Sequence, residues 1–446
     1  MASATVTEEP QMTANAHIDS FYAATMTDAP PRPPLDGDVE AEVCVIGGGL
    51  AGLTVARELA GGGKAVVLVE SRGVGWAASG RNGGFVSPGY AEGIDAIERK
   101  LGYEHARALW DLSVEGVEYV RRTIEELKPA GVSPVPGWLK VIRYSDPDGL
   151  RRRADVMATR YGHPREYWPT ERVRETLRTK TYFQGLHDTT AFHIHPLNYA
   201  LTLAADAEAL GARIYEGTPA EKLKRGRTGW IVETPKGKIA ARQVVLSGSA
   251  YPPPVWRQID RAVLPVSTYV VVSEPMAERL GEAIRFPGCI GDTRRASDYY
   301  RIVDDGRLLW GGRITTRRSE PQRLADMLKR DILAIYPQLG DFRVEFAWGG
   351  LMGYAVHKMP LIGRIGERLW ACTAFGGHGL NTTAIAGSLV ARAIGEGDDT
   401  WQRFRPYRAV WGGGSLGRLA TQLVYWKLQL QDRLEERRAH AADGDR

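Results

Sequence analysis

Three glycines and one acid carry the clearest chemistry in this chain. Gly47, Gly49 and Gly52 stand at G-x-G-x-x-G spacing behind an apolar run that includes Val43, Val45 and Ile46. A helical pattern follows from Leu50 to about Ala60, then a second apolar run at 65–69, closed by Glu70. That order predicts a strand, a tight turn, a helix and a second parallel strand, with an acid about 20 residues past the turn. Gly47 permits the turn, Gly49 lets backbone approach a pyrophosphate, and Gly52 lets helix and strand pack closely. The helix start, at Leu50 and Ala51, offers unpaired N–H groups and a positive dipole end to phosphate. Glu70 can accept hydrogen bonds from ribose hydroxyls and would repel a 2′-phosphate, which favours NAD or FAD over NADP. The alternative is an ordinary βαβ crossover with a glycine turn. His193 and His195, two apart on an apparent strand, invite a zinc reading, but no third ligand of matching pattern stands nearby, so no metal is expected.

The elements around this motif must come from a chain of 446 residues, enough for two or three domains. Composition is that of a globular protein, 43% hydrophobic and 25% charged. No stretch approaches the roughly 18–20 apolar residues that span a bilayer. No basic segment followed by an apolar core marks a signal peptide. Three widely spaced cysteines (Cys44, Cys289, Cys372) read as buried thiols in a reducing compartment, and a cytoplasmic location is expected. The net charge of +5 is mild, and basic pairs such as Arg294-Arg295 and Arg317-Arg318 are scattered, which argues against nucleic acid.

Residues 1–37 are polar with a Pro30–Pro34 stretch, and read as an extended arm on the surface. Helical patterns cover 93–128, 148–160, 197–210 (after His195-Pro196) and 324–336. Strands are expected at 137–143, 212–215 and 263–274, and a hairpin pairs 298–303 with 307–311. A small meander is expected at 223–225, 230–233 and 238–240, and a separate strand at 243–246 leads to Gly248. A last strand at 369–374 precedes Phe375-Gly376-Gly377-His378-Gly379-Leu380, and Asn381, Thr382 or Thr383 would cap the helix that runs to 394. Beyond a Gly412-Gly413-Gly414 hinge, Leu416, Leu419, Leu423, Trp426, Leu430 and Leu434 recur at helical steps. The amphipathic helix at 415–436 should pack on the body or a second subunit, with peripheral membrane contact as the alternative.

The glycine turn, the loop Ala78-Ser79-Gly80-Arg81-Asn82-Gly83-Gly84, the Gly248 segment and the Gly376–Leu380 loop come in an order that resembles a known group. These are the FAD-dependent amine and amino-acid oxidases of the D-amino-acid-oxidase type, which include glycine oxidase and sarcosine oxidase. The Ser79–Gly84 loop is similar to that of γ-glutamylputrescine oxidoreductase-like enzymes. The resemblance covers about residues 20–440 and implies an α/β protein in which a Rossmann-type FAD domain interleaves with a mixed-sheet α+β substrate domain. The FAD domain would comprise 38–95, 196–262 and 345–400. The substrate domain would comprise 96–195 and 263–344, and 401–446 would form the hinge and final helix. FAD pyrophosphate would lie on Gly47, Gly49, Leu50, Ala51 and Gly52, and the ribose on Glu70 beside Ser71 and Arg72. Ala78, Ser79, Gly80, Arg81, Asn82, Gly83 and Gly84 would run along the pyrophosphate and flavin, with Gly248 nearby. Ala220 would meet adenine, and Gly376, Gly377, His378, Gly379 and Leu380 would face the isoalloxazine ring. There the glycines let backbone approach a flat ring, and the following helix points its N-terminus at the negative charge of reduced flavin.

Departures from the family pattern bear on substrate. Amino-acid oxidases of this type hold the substrate carboxylate with an arginine in a position that is Met352 here, and sarcosine oxidases carry a lysine where this chain has Asn381. The oxidised carbon should therefore bear no free carboxylate, unless Arg81 or Arg301 substitutes. The cysteine that links flavin covalently in sarcosine oxidases falls near Gly350, so FAD should be non-covalent. The implied reaction is oxidation of an amine C–N bond by hydride transfer to flavin N5. Imine hydrolysis would release an aldehyde, and dioxygen or another acceptor would take the electrons. Only the neutral amine can react, and an apolar pocket lowers its pKa from near 10. Trp348, Tyr354, Tyr251, Tyr269, Tyr299 and Tyr300 are candidate walls, and His357-Lys358 could touch a substrate tail. The residues expected at the reacting centre are His378, Trp348, Asn381, Met352 and Tyr300. The expected substrate is a small-molecule amine, γ-glutamylated or polyamine-like. The alternatives are an amino-acid dehydrogenase feeding a quinone and a flavin-binding subunit without turnover.

Overall fold

The computed structural model describes residues 17–251, 255–294, 298–317 and 321–444. Its first sheet centres on the strand Val39–Ile46, flanked in parallel by Val66–Val69 and Gly237–Leu246, with Arg213–Tyr215 and Leu369–Thr373 beyond them. Leu361–Gly366 closes one edge antiparallel. Every residue of Val66–Val69 is buried, as a continuous apolar run in a parallel sheet must be. Helices Leu50–Gly61, Pro196–Ala209 and Leu380–Gly395 cover this sheet and share its main core. One expected pair of strands, 238–240 and 243–246, is a single strand. Exposed Arg242 interrupts its apolar pattern, yet the ladder to Val39–Ile46 runs on past it.

The second sheet is mixed, in the order Val344–Tyr354, Leu264–Ser273, Arg307–Thr315, Tyr299–Val303, Cys289–Gly291, Val135–Val141, Gly185–His193 and Phe85–Val86. One face packs on helices Ala277–Ala283 and Leu324–Ile335 and buries Leu139, Tyr269, Ile290, Tyr300 and Trp310. The other face looks toward the first domain and contributes Val270, Leu309 and Trp348 to the main core.

Tertiary pairing moves several expected boundaries. Val344–Tyr354 pairs along its length with Leu264–Ser273, so 345–354 belongs to the second sheet and the chain rejoins the first only at Leu361. Phe85–Val86 also joins the second sheet. The 93–128 pattern is two helices, Ile94–Leu101 and Tyr103–Leu127, and the longer one lies on the first domain. There Tyr119 donates to Glu58 at 2.6 Å, and a Cβ on Gly116 would come within 2.3 Å of the Asn381 carbonyl oxygen. Within the arm, Phe21–Ala24 forms a short helix with Phe21 and Tyr22 buried, because two adjacent aromatics outweigh the polar residues around them. Residues 1–16 of the expected arm lie outside the described residues. The late helix begins at Leu380 with Gly379 as its cap, and the Thr382 hydroxyl donates to the His378 carbonyl instead of capping.

The final helix, Gly414–Gly444, does not pack its apolar face on the body, one of the two packings expected for it. Leu416, Leu419, Leu423, Trp426, Leu430 and Leu434 are 45–76% exposed, whereas polar Gln422 and Asp432 are buried. The reason lies in what the helix covers. Gln422 Oε1 accepts from the Thr315 hydroxyl and the Thr316 N–H at a strand end, and Glu436 accepts two bonds from Arg294. Those groups need polar partners, so the polar stripe faces inward. No helix among the described residues is long and apolar enough to cross a membrane. All three cysteines are free and buried, and burial pushes the Cys44 thiol up to about 12.

Candidate dinucleotide and substrate site

The turn after Val39–Ile46 is built for backbone alone. Gly47 has φ +114°, and a Cβ on Gly52 would stand 2.1 Å from the Gly47 carbonyl oxygen. Helix Leu50–Gly61 opens with no acid in its first turn and no side-chain cap from its own Ncap. The Ser79 hydroxyl instead accepts from the Leu50 N–H at 3.0 Å, which brings the 78–84 loop over the helix start. Glu70 Oε2 accepts from the Gly48 N–H at 2.7 Å, and its Oε1 from the Arg72 N–H and the Ser71 hydroxyl. Burial raises the Glu70 carboxyl, and these bonds oppose the shift. The Thr218 N–H donates to the Glu70 carbonyl, which lays the segment leading to buried Ala220 beside the acid. A Cβ on Gly47 would come within 3.1 Å of Gly248 Cα, which places Gly248 across the turn. A glycine cradle, a helix start without an acid and an acid beside it fit the pyrophosphate and ribose of FAD.

The 76–84 loop is fastened from both domains. The Arg81 guanidinium donates to the Trp76 carbonyl at 3.0 Å and to the Gly349 carbonyl at 3.4 Å, and stacks over the Trp76 ring. The Trp348 indole N–H donates to the Arg81 carbonyl at 3.0 Å. Asn82 Nδ2 donates to the Ala78 and Ser79 carbonyls, and Asn82 Oδ1 accepts from the Gly84 N–H. Arg301 donates to the Gly83 carbonyl, the Ile194 carbonyl and the Tyr22 hydroxyl, with His193 Nδ1 2.7 Å from its Nη1. Both arginines expected as substitute anchors therefore hold the scaffold. Burial, then the Arg301 charge, pushes His193 down to about 2, so it is neutral and can accept from Arg301.

The 375–380 loop faces the strand Val344–Tyr354. The Gly377 N–H donates to the Tyr354 hydroxyl at 2.9 Å, and the Met352 sulfur stands 3.5 Å from where a Gly377 Cβ would be. Burial lowers the His378 pKa, and its Nε2 lies 2.9 Å from the Ser87 carbonyl oxygen. The neutral ring thus donates to backbone and ties two loops together. Asn381 is 1% exposed, and its Nδ2 donates to the Gly89 and Ser113 carbonyls. It brackets the long helix instead of facing a substrate.

Tyr300 is a clear correction. It stacks on Trp310 at 4.2 Å, its hydroxyl bonds that of Tyr336, and it sits in the second core, on the sheet face away from the loops. Tyr269 shares that core. Alternation along a strand turns the neighbour, Tyr299, the other way, 2.6 Å from where a Gly83 Cβ would stand. Met352 and Trp348 lie beside the loops, and the Tyr251 hydroxyl accepts from the Leu351 N–H. The His357-Lys358 turn is held at the surface by the Arg408 carbonyl and Glu92. Among the described residues no group of His, Cys, Asp or Glu is placed to hold a metal, and His193 and His195 have separate partners. Sequence reading missed Tyr22, signalled by the Phe21-Tyr22 pair in a polar arm, and Lys140, signalled by apolar Leu139 and Val141 on either side.

A parallel sheet ending in a glycine cradle, faced by a mixed sheet that fastens the cradle's loops, defines a protein of the dinucleotide-binding class. The model of the FAD dependent oxidoreductase (DAO) family matches residues 42–393, and the chain belongs to that family. It is 30% identical to γ-glutamylputrescine oxidoreductase of Escherichia coli K12, over 94% of this chain and 99% of that one. It is also 30% identical to the probable oxidoreductase OrdL of Haemophilus influenzae, over 91% and 95% of the two chains. Among solved structures, glycine oxidase from Geobacillus kaustophilus superposes with a TM-score of 0.71 at 19% identity, over 83% of this chain and 99% of that one. The last likeness concerns the fold.

Proposed function

We propose that this FAD-dependent oxidoreductase oxidises the C–N bond of an amine whose reacting carbon bears no carboxylate, with γ-glutamylated or polyamine-like amines as the substrate class. One observation carries the reading. The two positions where carboxylate-binding relatives are expected to carry cations hold Met352 and a backbone-bound Asn381, while Arg81 and Arg301 donate to carbonyls. The likeness to γ-glutamylputrescine oxidoreductase supports the amine class.

Bound FAD supplies a two-electron hydride acceptor. The chain's own residues position and desolvate. Trp348, Met352, Tyr354 and Tyr299 wall the space beside the 76–84 and 375–380 loops and favour the neutral amine by excluding water. Neutral His378 keeps its Nε2 proton on the Ser87 carbonyl and holds the glycine loop in place. The N-terminus of Leu380–Gly395 directs its positive end at that loop. Gly350, with no thiol to bond flavin, supports non-covalent FAD.

The test is anaerobic mixing of the yellow holoprotein with γ-glutamylputrescine, putrescine, sarcosine, glycine and D-alanine, followed at 450 nm. Bleaching by the amines without an α-carboxylate is the expected result. Bleaching by glycine, sarcosine or D-alanine alone would overturn the substrate reading, and no bleaching would leave a flavin-binding protein without this reaction. Oxygen uptake against dye reduction then distinguishes dioxygen from another electron acceptor.

A further inference from the structure

The sheet face that turns Tyr299 toward Gly83 continues across two more strands. Tyr299 pairs with Gly291, and Gly291 pairs with Lys140. Leu139 and Val141 are buried in the second core with Ile290 and Tyr300. Alternation therefore puts Lys140 and Trp138 on the Tyr299 side. With strands about 4.8 Å apart, Lys140 stands about 10 Å from Tyr299 along this row.

The Lys140 Nζ makes no hydrogen bond or ion pair among the described residues, and it lies 5.7 Å from the Trp138 ring centre. The acids near it are occupied. Asp188, paired with Trp138 across the strands, holds His163 and Arg165. Asp292 holds Arg143. Trp138 Nε1 is buried without an acceptor, and the indole packs over Gly291, 3.2 Å from where a Cβ there would be. Burial, then the charges of Arg153 and Arg165, pushes the Lys140 ammonium down to about 8, against the pull of Asp292. Lys140 and Arg165 also act on His378, which puts both cations within electrostatic reach of the glycine loop. An unpaired ammonium beside an indole N–H without an acceptor is a receptor that lacks its anion.

We propose that Lys140, with the indole N–H of Trp138, receives a carboxylate at the end of the substrate remote from the oxidised carbon. The proposal rests on the amine-oxidation reading and deepens it. A γ-glutamyl amine carries such a carboxylate on the order of 10 Å from its reacting carbon when extended. The site thus selects amines with an anionic tail, where the family pattern would hold an anion next to the flavin.

The deciding measurement is calorimetric binding of glutaric acid mono-n-butylamide, which keeps the tail carboxylate and has no amine to oxidise. FAD-loaded wild type and Lys140→Met, Lys140→Gln and Lys140→Arg are compared, with FAD content confirming the fold of each. The Met and Gln variants should bind about tenfold to a hundredfold more weakly, and Lys140→Arg should retain most of the affinity. N-butylpentanamide, uncharged, should bind all four alike. No binding by wild type, or equal binding of the acid by wild type and the neutral variants, overturns the proposal. Because the probe cannot turn over, failure of the amine panel to bleach the flavin would sink the reaction and leave this result standing.

A different observation carries a second proposal. At 100° per residue, the exposed leucines and Trp426 of Gly414–Gly444 form one stripe bordered by exposed Lys427, Arg433, Arg437 and Arg438. Asp432 is buried and Glu436 is bound to Arg294, so these two acids lie toward the body. Exposed Val410 and Trp411 lead into the stripe. We infer that this face rests on an anionic membrane surface. A second copy of the face would set these same cations against one another. Full-length holoprotein should sediment with phosphatidylglycerol-containing vesicles, be released by salt, ignore pure phosphatidylcholine, and lose the binding in Leu423→Glu/Trp426→Glu. No sedimentation with anionic vesicles would overturn the inference, as would a wild-type dimer that the double variant dissociates.

Discussion

Single residues decide what the site can hold, and Met352 is the informative one. Its sulfur lies against the Gly377 backbone on a strand whose neighbour Tyr354 also contacts that loop. Met352→Arg would place a guanidinium there, supplying the carboxylate anchor that the proposed function holds to be missing. We expect the variant to lose about tenfold or more in kcat/KM for γ-glutamylputrescine and to gain measurable flavin reduction by sarcosine or glycine. Stopped-flow bleaching at 450 nm checks both arms. Gain without loss would show that Met352 does not border the amine. Arg301 illustrates the opposite role. Charged, buried and bonded to two carbonyls and a tyrosine, it is framework that sequence alone could mistake for an anchor.

At the scale of elements, the strand end Gly185–His193 and the helix start at Pro196 carry two histidines that burial keeps neutral, His193 at about 2 and His195 at about 3. Arg301 acts on both. Their unfolded counterparts protonate near 6.5, so the unfolded chain binds more protons below that pH. Folded pKa values below the unfolded value mean stability that is present above pH 6.5 and falls as acid is added. Each histidine contributes a slope of about 1.4 kcal/mol per pH unit between roughly pH 6 and pH 4. The expected outcome is a steep drop in denaturant midpoint from pH 7 to pH 5, shallower in a folded His195→Asn variant. An unchanged slope in that variant would mean that other groups carry the acid sensitivity.

At the scale of the whole molecule, the proposed FAD cradle draws on loops and strands of both sheets. Gly47–Gly52 and Ser79 belong to the first sheet's loops, yet Arg81 is fastened to Gly349 and Trp348, and Gly377 to Tyr354, all on the second sheet. A ligand there must couple the two halves. Saturation with FAD at about a thousandfold over its Kd should stabilise the fold by about 4 kcal/mol, with both sheets melting together. Calorimetry of apo- and holoprotein measures this, and two separate transitions in the holoprotein would contradict it. The sequence by itself determined the parallel sheet, the glycine cradle, Glu70 and the late glycine loop, because local spacing and apolar runs dictate them within a few residues of chain. It also placed Met352 and Asn381 where the resemblance led us to expect cations. Only the tertiary structure decided which of Tyr299 and Tyr300 faces the site, since a strand's two faces differ by what packs on them. It also decided that 345–354 pairs with the second sheet, that Arg81 and Arg301 are bound to backbone, and that the last helix turns its leucines outward. Each of these depends on partners far away in sequence, whose hydrogen-bonding and burial needs no local pattern can carry.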